Sequence, residues 1–204
     1  MRIKLYSDVN NPEELERISF LLKEGAVMIY PTDTGYALGC SAADNRAIER
    51  ICAIKKIKNP EKSRFSIICY DMSEISRFAR FDNKTFKLMK SILPAPVTFI
   101  LPGSNLLPKV FRKRKTLGIR MPDNNIDVSI VKSLGFPIMT SSLPLEEGED
   151  IAYATNPELI EEKWGSTVDF VIDDGEIPHT MTTIVDCTSA KPEIVRQGIA
   201  EVDL

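Results

Sequence analysis

Short apolar runs alternate with segments of helical period along this chain, and any fold must bury both. Ala26-Val27-Met28-Ile29-Tyr30 reads as a buried strand. Further strand-like runs are Phe65 to Tyr70, Val97 to Leu101 (framed by Pro94, Pro96, Pro102 and Gly103) and Leu117 to Met121, which Pro122 stops. Pro137 to Thr140, Val168 to Ile172, Thr183 to Val185 and Ile194 to Arg196 complete the set. Helix starts between them carry local signals. Asn11-Pro12-Glu13-Glu14 supplies a cap, a proline at the first position and acids in the first turn. Leu15, Ile18, Leu21 and Leu22 form its apolar stripe, and Gly25 ends it. Asp44 caps a second helix with Ala47, Ile48, Ile51 and Ile54 inward; Asp71 and Ser73 start a short one; Asp82 caps one carrying Phe86, Leu88 and Met89. Asn125 to Leu134 is a helix closed by Gly135, and Thr155-Asn156-Pro157-Glu158 opens another that ends near Gly165. The alternation, with extra strands in the centre and at the C-terminus, predicts a mixed α/β sheet with helices on its faces.

No internal repeat, low-complexity tract or linker divides residues 1–204, which are read as a single domain. Leu143 to Ala154, with four acids and a glycine, is the expected mobile loop. Hydrophobic residues make up 43% and charged residues 27%, the balance of an ordinary globular protein. No apolar run reaches membrane-spanning length, and Met1-Arg2-Ile3-Lys4-Leu5-Tyr6 is too short and polar for a signal peptide. A cytoplasmic location without membrane association is expected. Cys40, Cys52, Cys69 and Cys187 are far apart and form no CxxC pair, so buried reduced thiols are expected.

The net charge of −3 gives no global pull toward nucleic acid. The basic residues are clustered, however: Lys55, Lys56, Lys58, Lys62 and Arg64 in one window, and Lys109, Arg112, Lys113, Arg114 and Lys115 in another. Such asymmetry suggests an anionic ligand on one face, although either cluster alone reads as a solvated loop.

Among nucleotide signals, GxxxxGK[ST] and GxGxxG are both missing. His179 is the only histidine, which argues against a histidine-rich metal site and against Cys–His catalysis; it reads as a surface-loop residue. Hydroxyls instead gather at strand ends. Pro31-Thr32-Asp33-Thr34-Gly35-Tyr36-Ala37-Leu38-Gly39 follows the first strand as a turn rich in hydroxyls with one carboxylate. Thr98 starts a strand; Thr116 and Arg120, four apart, share a strand face; Thr140-Ser141-Ser142 and Thr182-Thr183 follow or open others; Arg196 ends one. Singly these are ordinary strand and turn residues. Together they would make a hydroxyl pocket rimmed by cations, suited to a ligand with carboxylate and phosphate groups.

These segments, in this order, resemble the YrdC/TsaC/YciO family over nearly the whole chain. Residues 31–39 resemble its PT[ED]T-x-Y-x-LG signature, and Ile51-Cys52 with Lys55 the following helix and lysine. Pro94-Ala95-Pro96-Val97-Thr98 resembles its PGP-x-T turn, Gly118-Ile119-Arg120-Met121-Pro122 its RxP strand, and Thr140-Ser141-Ser142 its serine-rich loop. Thr182-Thr183-Ile184-Val185-Asp186 resembles [ST]T-[IV]-[IV]-D, and Ile194-Val195-Arg196-Gln197-Gly198 the closing [IL]-x-R-x-G. The resemblance implies a YrdC/RibB-like α/β fold, a twisted open mixed β-sheet with helices packed on it around a positively charged concave cavity. It also implies an L-threonylcarbamoyladenylate synthase-like enzyme, a nucleotidyltransferase. Such enzymes join L-threonine, bicarbonate and ATP (with Mg²⁺ carried by the ATP rather than by protein ligands) into threonylcarbamoyl-AMP and diphosphate, for N6-threonylcarbamoyladenosine in tRNA. By that correspondence Thr32, Thr34, Arg120, Thr140 and Thr182 hold threonine, while Lys55, Thr116, Ser142 and Arg196 hold ATP.

Two stretches depart from the synthase pattern. Lys55-Lys56-Ile57-Lys58 stands where synthases read KGRP, with isoleucine at the arginine position. Ser142-Leu143-Pro144 stands where they read SAN. Both are features of the YciO branch, and they keep two alternatives open. One is a paralogue that removes or processes threonylcarbamoyl on tRNA. The other is a non-catalytic module binding double-stranded RNA or tRNA through Lys56, Lys58, Lys62, Arg64, Arg112, Lys113, Arg114 and Lys115.

Overall fold

A computed structural model of the chain describes residues 1–6, 11–58, 63, 65–106, 111 and 115–204. In chain order the elements are β1 (Arg2–Lys4), α1 (Pro12–Lys23), β2 (Val27–Thr32), β3 (Gly35–Ser41), α2 (Asn45–Ile54), β4 (Ser66–Ile68), α3 (Met72–Phe78) and α4 (Asn83–Ile92). There follow β5 (Val97–Pro102), β6 (Thr116–Arg120), α5 (Asn125–Leu134), β7 (Ile138–Ser142), α6 (Ala152–Thr155), α7 (Pro157–Trp164), β8 (Phe170–Asp173), β9 (Thr183–Asp186) and β10 (Glu193–Arg196).

The capping signals in the sequence locate the helices because each acts over two or three residues. The side chains of Asn11, Asp44, Asp71, Asp82 and Asn156 each accept a backbone N–H from the first turn of α1, α2, α3, α4 and α7. Asn124 does the same for α5, whose end is the left-handed Gly135.

The strands form one mixed sheet in the order β1-β8-β2-β3-β7-β4-β6-β5-β9-β10. Parallel pairs join β1 to β8, β8 to β2, β4 to β6 and β5 to β9, and the other neighbours run antiparallel. The expected turn over residues 31–39 is instead a hairpin: β2 pairs with β3 from Val27–Cys40 to Thr32–Gly35, leaving Asp33-Thr34 as a two-residue connection. β1 was not anticipated; its three residues pair only with β8 and bury Ile3 alone. The segment expected as a loop from Leu143 to Ala154 buries Leu143 in the core and ends in the short α6.

Core packing is unequal on the two faces. One face carries the larger core, where Ile48 and Ile51 of α2, Ile75 and Phe78 of α3, Met89 of α4 and Ile160 of α7 meet Ile29, Leu38, Phe99 and Ile119. On the other, Ile18 and Leu22 of α1 and Ile126, Ile130 and Val131 of α5 pack on Met28, Tyr30, Ile138, Phe170 and Ile172. That second cover extends over β8, β2 and β7, and a cavity lies on the strands beside it. None of the described helices is long and apolar enough to cross a membrane.

Candidate functional site

The cavity floor is built from small and hydroxyl residues that strand pairing places on one face. Ser66 pairs with Thr140 on one side and Gly118 on the other. A side chain at Gly118 would collide with the Ser66 hydroxyl and Thr98, so glycine there keeps both hydroxyls facing open space. Gly39 next to Thr140 likewise leaves room for the Tyr30 ring, whose hydroxyl donates to Thr140 Oγ1 at 2.8 Å. The resulting cavity holds about 360 Å³. Thr32, Thr34, Arg120, Thr140, Ser142, Thr182 and Arg196, from four strands and two strand-end segments, all line it.

Arg120 ends β6 and is only 6% exposed. Its Nη2 pairs with Asp33 Oδ1 and donates to Thr34 Oγ1 at 3.3 Å, while its Nε and Asp33 Oδ2 are buried without a partner. Burial raises the Asp33 carboxyl above its usual range, and the guanidinium beside it partly offsets that rise. Thr32 Oγ1 donates to Gly35 O at 2.7 Å and accepts from Thr34 N at 3.2 Å, which fixes the hairpin tip. At the other end Thr98 Oγ1 donates to Thr182 Oγ1 at 3.1 Å. Arg196 donates from Nε and Nη2 to Thr182 O at 3.0 and 2.8 Å and from Nη2 to Thr182 Oγ1 at 2.8 Å. Lys55, the residue that ends α2, reaches the cavity rim and donates from Nζ to Ser142 O. Burial lowers its pKa.

Of the expected threonine- and ATP-binding residues, Lys55 and Thr116 are outside the cavity lining; Lys55 still touches it through Ser142, but Thr116 does not. Thr116 shares a face with Arg120, as the strand period requires, but it opens β6 opposite Pro102 and lies outside the lining. Lys56, Lys58 and Lys115 are exposed, whereas Lys62, Arg64, Arg112, Lys113 and Arg114 lie outside the described residues. All four cysteines are free and buried. Burial raises each thiol's pKa, that of Cys187 to about 11, which disfavours the thiolate form.

Two residues were not singled out by sequence reasoning in their actual settings. His179, expected on a surface loop, lines the cavity. Asp127, in the first turn of α5, is fully buried behind the site, and neither carboxyl oxygen has a hydrogen-bond partner. Burial pushes its pKa well above the usual carboxylate range; Arg120 pulls it back and Asp33 pushes it up. No local pattern could have flagged either one, since an acid in a first helical turn is ordinary.

An open mixed sheet with helices on both faces and a hydroxyl-lined cavity beside one helical cover defines a particular kind of α/β domain. The family model described as telomere recombination, that of Sua5, YciO and YrdC, matches residues 20–198, and the chain belongs to this family. It is 37% identical over 201 residues to the YciO protein of Escherichia coli, covering 97% of this chain and 96% of that one. The E. coli YciO crystal structure superposes with a TM-score of 0.88 at 34% identity, over 98% of this chain and 97% of that chain. A threonylcarbamoyl-AMP synthase of Pyrococcus abyssi is 26% identical over 179 residues, covering 87% of this chain and 52% of the relative. The crystal structure of P. abyssi Sua5 complexed with L-threonine has a TM-score of 0.85 at 23% identity, over 97% of this chain and 57% of that chain, a likeness of fold.

Proposed function

We propose that the chain binds L-threonine in this cavity and forms threonylcarbamoyl-AMP from L-threonine, bicarbonate and Mg²⁺-ATP, with release of diphosphate, in support of tRNA N6-threonylcarbamoyladenosine. The observation that carries the reading is the buried Arg120–Asp33 pair beside the threonine hydroxyls. The Arg120 fork, held by its pair with Asp33, takes the amino acid's carboxylate, and Thr32, Thr34, Thr140 and Thr182 hold its hydroxyl. Relatives that carry the synthase name, and a fold neighbour complexed with L-threonine, support the choice of amino acid.

The chemistry asks chiefly for positioning and charge. The threonine amine and bicarbonate condense to a carbamate with loss of water, and the carbamate oxygen then attacks the α-phosphorus while diphosphate leaves, so two anions must be held together. The lining contains Arg120 and Arg196 and, among the described residues, no carboxylate. The cavity is accordingly read as cationic, with Lys55 and Arg196 on the phosphate side, Ser142 beside Lys55, and Mg²⁺ arriving on the phosphate oxygens.

A second reading, removal of threonylcarbamoyl from modified tRNA, draws on two side chains. Ile57, at the arginine position of synthases, packs against the apolar core. Pro144, at the asparagine position, offers no amide donor. One set of assays separates the two. Diphosphate release that depends on L-threonine supports synthesis. Loss of threonylcarbamoyl from modified tRNA without such release supports removal. If L-threonine neither binds nor changes diphosphate release, and modified tRNA is left intact, both are wrong.

A further inference from the structure

The segment 174–182 has no regular secondary structure and joins β8 to β9 along the cavity. Its path is set by several hydrogen bonds. Tyr36 Oη donates to Gly175 O at 2.7 Å, Ile177 N donates to Thr155 O at 3.1 Å, and Thr180 N donates to Thr34 O at 2.9 Å. At the far end Thr182 O receives the Arg196 guanidinium. Between these anchors His179 is pressed onto the hairpin tip. A Cβ built on Gly35 would lie 3.4 Å from His179 Nδ1 and 3.3 Å from Pro178 O. With φ of 121°, Gly35 adopts a backbone that L side chains rarely tolerate, and its missing side chain is the seat of the imidazole.

That seating makes the two ring nitrogens unequal. Nδ1 is buried and has no hydrogen-bond partner. A proton there would be a buried donor without an acceptor, whereas a bare lone pair is the lesser loss. In the neutral ring this favours the proton on Nε2. The cavity consequently holds an N–H donor close to the hairpin tip that carries Asp33 and Thr34, the partners of Arg120.

We infer that His179 is a ligand-contacting residue, its Nε2–H donating to an oxygen of the amino acid bound beside Arg120 and Thr34. This assignment rests on the threonine reading and adds a neutral, directional donor from the β8–β9 connection. It gives the site a contact made by the one histidine of the chain.

Because there is a single imidazole, labelling the full chain with [¹⁵N]histidine gives one unambiguous pair of ring nitrogens. Long-range ¹H–¹⁵N spectra should show the Nε2–H form in the free protein, and saturating L-threonine should shift Nε2 more than Nδ1. In parallel, His179→Phe should weaken L-threonine binding by calorimetry about tenfold, the loss of one hydrogen bond, while His179→Gln retains a donor and loses less. The spectra use the unaltered chain, so the inference does not depend on the variants folding. If L-threonine binds in an Arg120-dependent way but the ring nitrogens do not respond, or His179→Phe binds equally well, the assignment to His179 is overturned and the threonine site stands. A free protein in the Nδ1–H form overturns it as well. If L-threonine does not bind the unaltered chain at all, the threonine reading falls and takes this one with it.

Discussion

Replacing Asp127 by asparagine should change how stability depends on pH, with a sign that follows from its burial. Asp127 is 0% exposed, and neither carboxyl oxygen is hydrogen-bonded. Its native pKa is raised well above the usual range, chiefly by that burial. In the unfolded chain the same carboxyl titrates near 3.9. Between the unfolded pKa and the raised native one, the native state therefore holds a proton that the unfolded state has lost. The sign is fixed: native stability is highest below the unfolded pKa and falls as pH rises toward the native one. The slope from one such group is at most about 1.4 kcal/mol per pH unit. Asparagine matches the shape and cannot ionise, so the variant should lack this slope. Urea denaturation of both proteins at pH 5, 6 and 7 should show the variant gaining on the wild type as pH rises, by at most about 1.4 kcal/mol per pH unit. Subtracting the two profiles removes the contributions of other raised acids such as Glu74. Parallel profiles would refute the reasoning, because they would mean that Asp127 is ionised in the native state and balanced by Arg120.

The other expectations concern the cavity directly. Arg120→Ala should abolish measurable L-threonine binding and destabilise the fold by about 3–5 kcal/mol in urea, because Asp33 is left buried without its cation; adding Asp33→Asn should recover much of the stability, and an equally unstable double variant would contradict the pairing. Gly118→Ala should lower stability by about 1–3 kcal/mol in a denaturation curve, since the new methyl meets the Ser66 hydroxyl and Thr98; Ser66→Ala in the same chain should restore part of it. Thr182→Val removes the oxygen that accepts from Thr98 and Arg196 and should cost about 1 kcal/mol of stability, together with weaker L-threonine binding by calorimetry. Lys55→Ala should weaken ATP binding more than Thr116→Ala does, because Lys55 touches Ser142 at the cavity and Thr116 lies outside it; equal effects would put the phosphate side elsewhere.

The features legible in the sequence were those whose physics is short-range. Asn11, Asp44, Asp71, Asp82 and Asn156 marked helix starts because a cap bonds an amide two or three residues ahead. Apolar runs marked β2, β5 and β8 because their burial needs no partner identity to be recognised. β3 was read as part of a turn because Gly35 and Gly39 weaken its strand character; the pairing of Thr32 with Gly35 settles its conformation. β1 is a strand only because β8 lies beside it.

The site divides in the same way. The residue types at strand ends were visible, but their convergence depends on the strand order, which sets β3, β7, β4, β6, β5 and β9 side by side. Thr116 illustrates the limit: its parity with Arg120 was right, yet distance along β6 leaves it out of the cavity. His179 and Asp127 show the converse, since nothing near them in the chain predicts a ring seated on Gly35 or an acid sealed behind Arg120. Sequence alone determined the helices, most of the strands and the chemistry they carry, through contacts a few residues long. Tertiary structure decided which of those groups meet, because pairing register and helix cover are set by residues far apart in the chain.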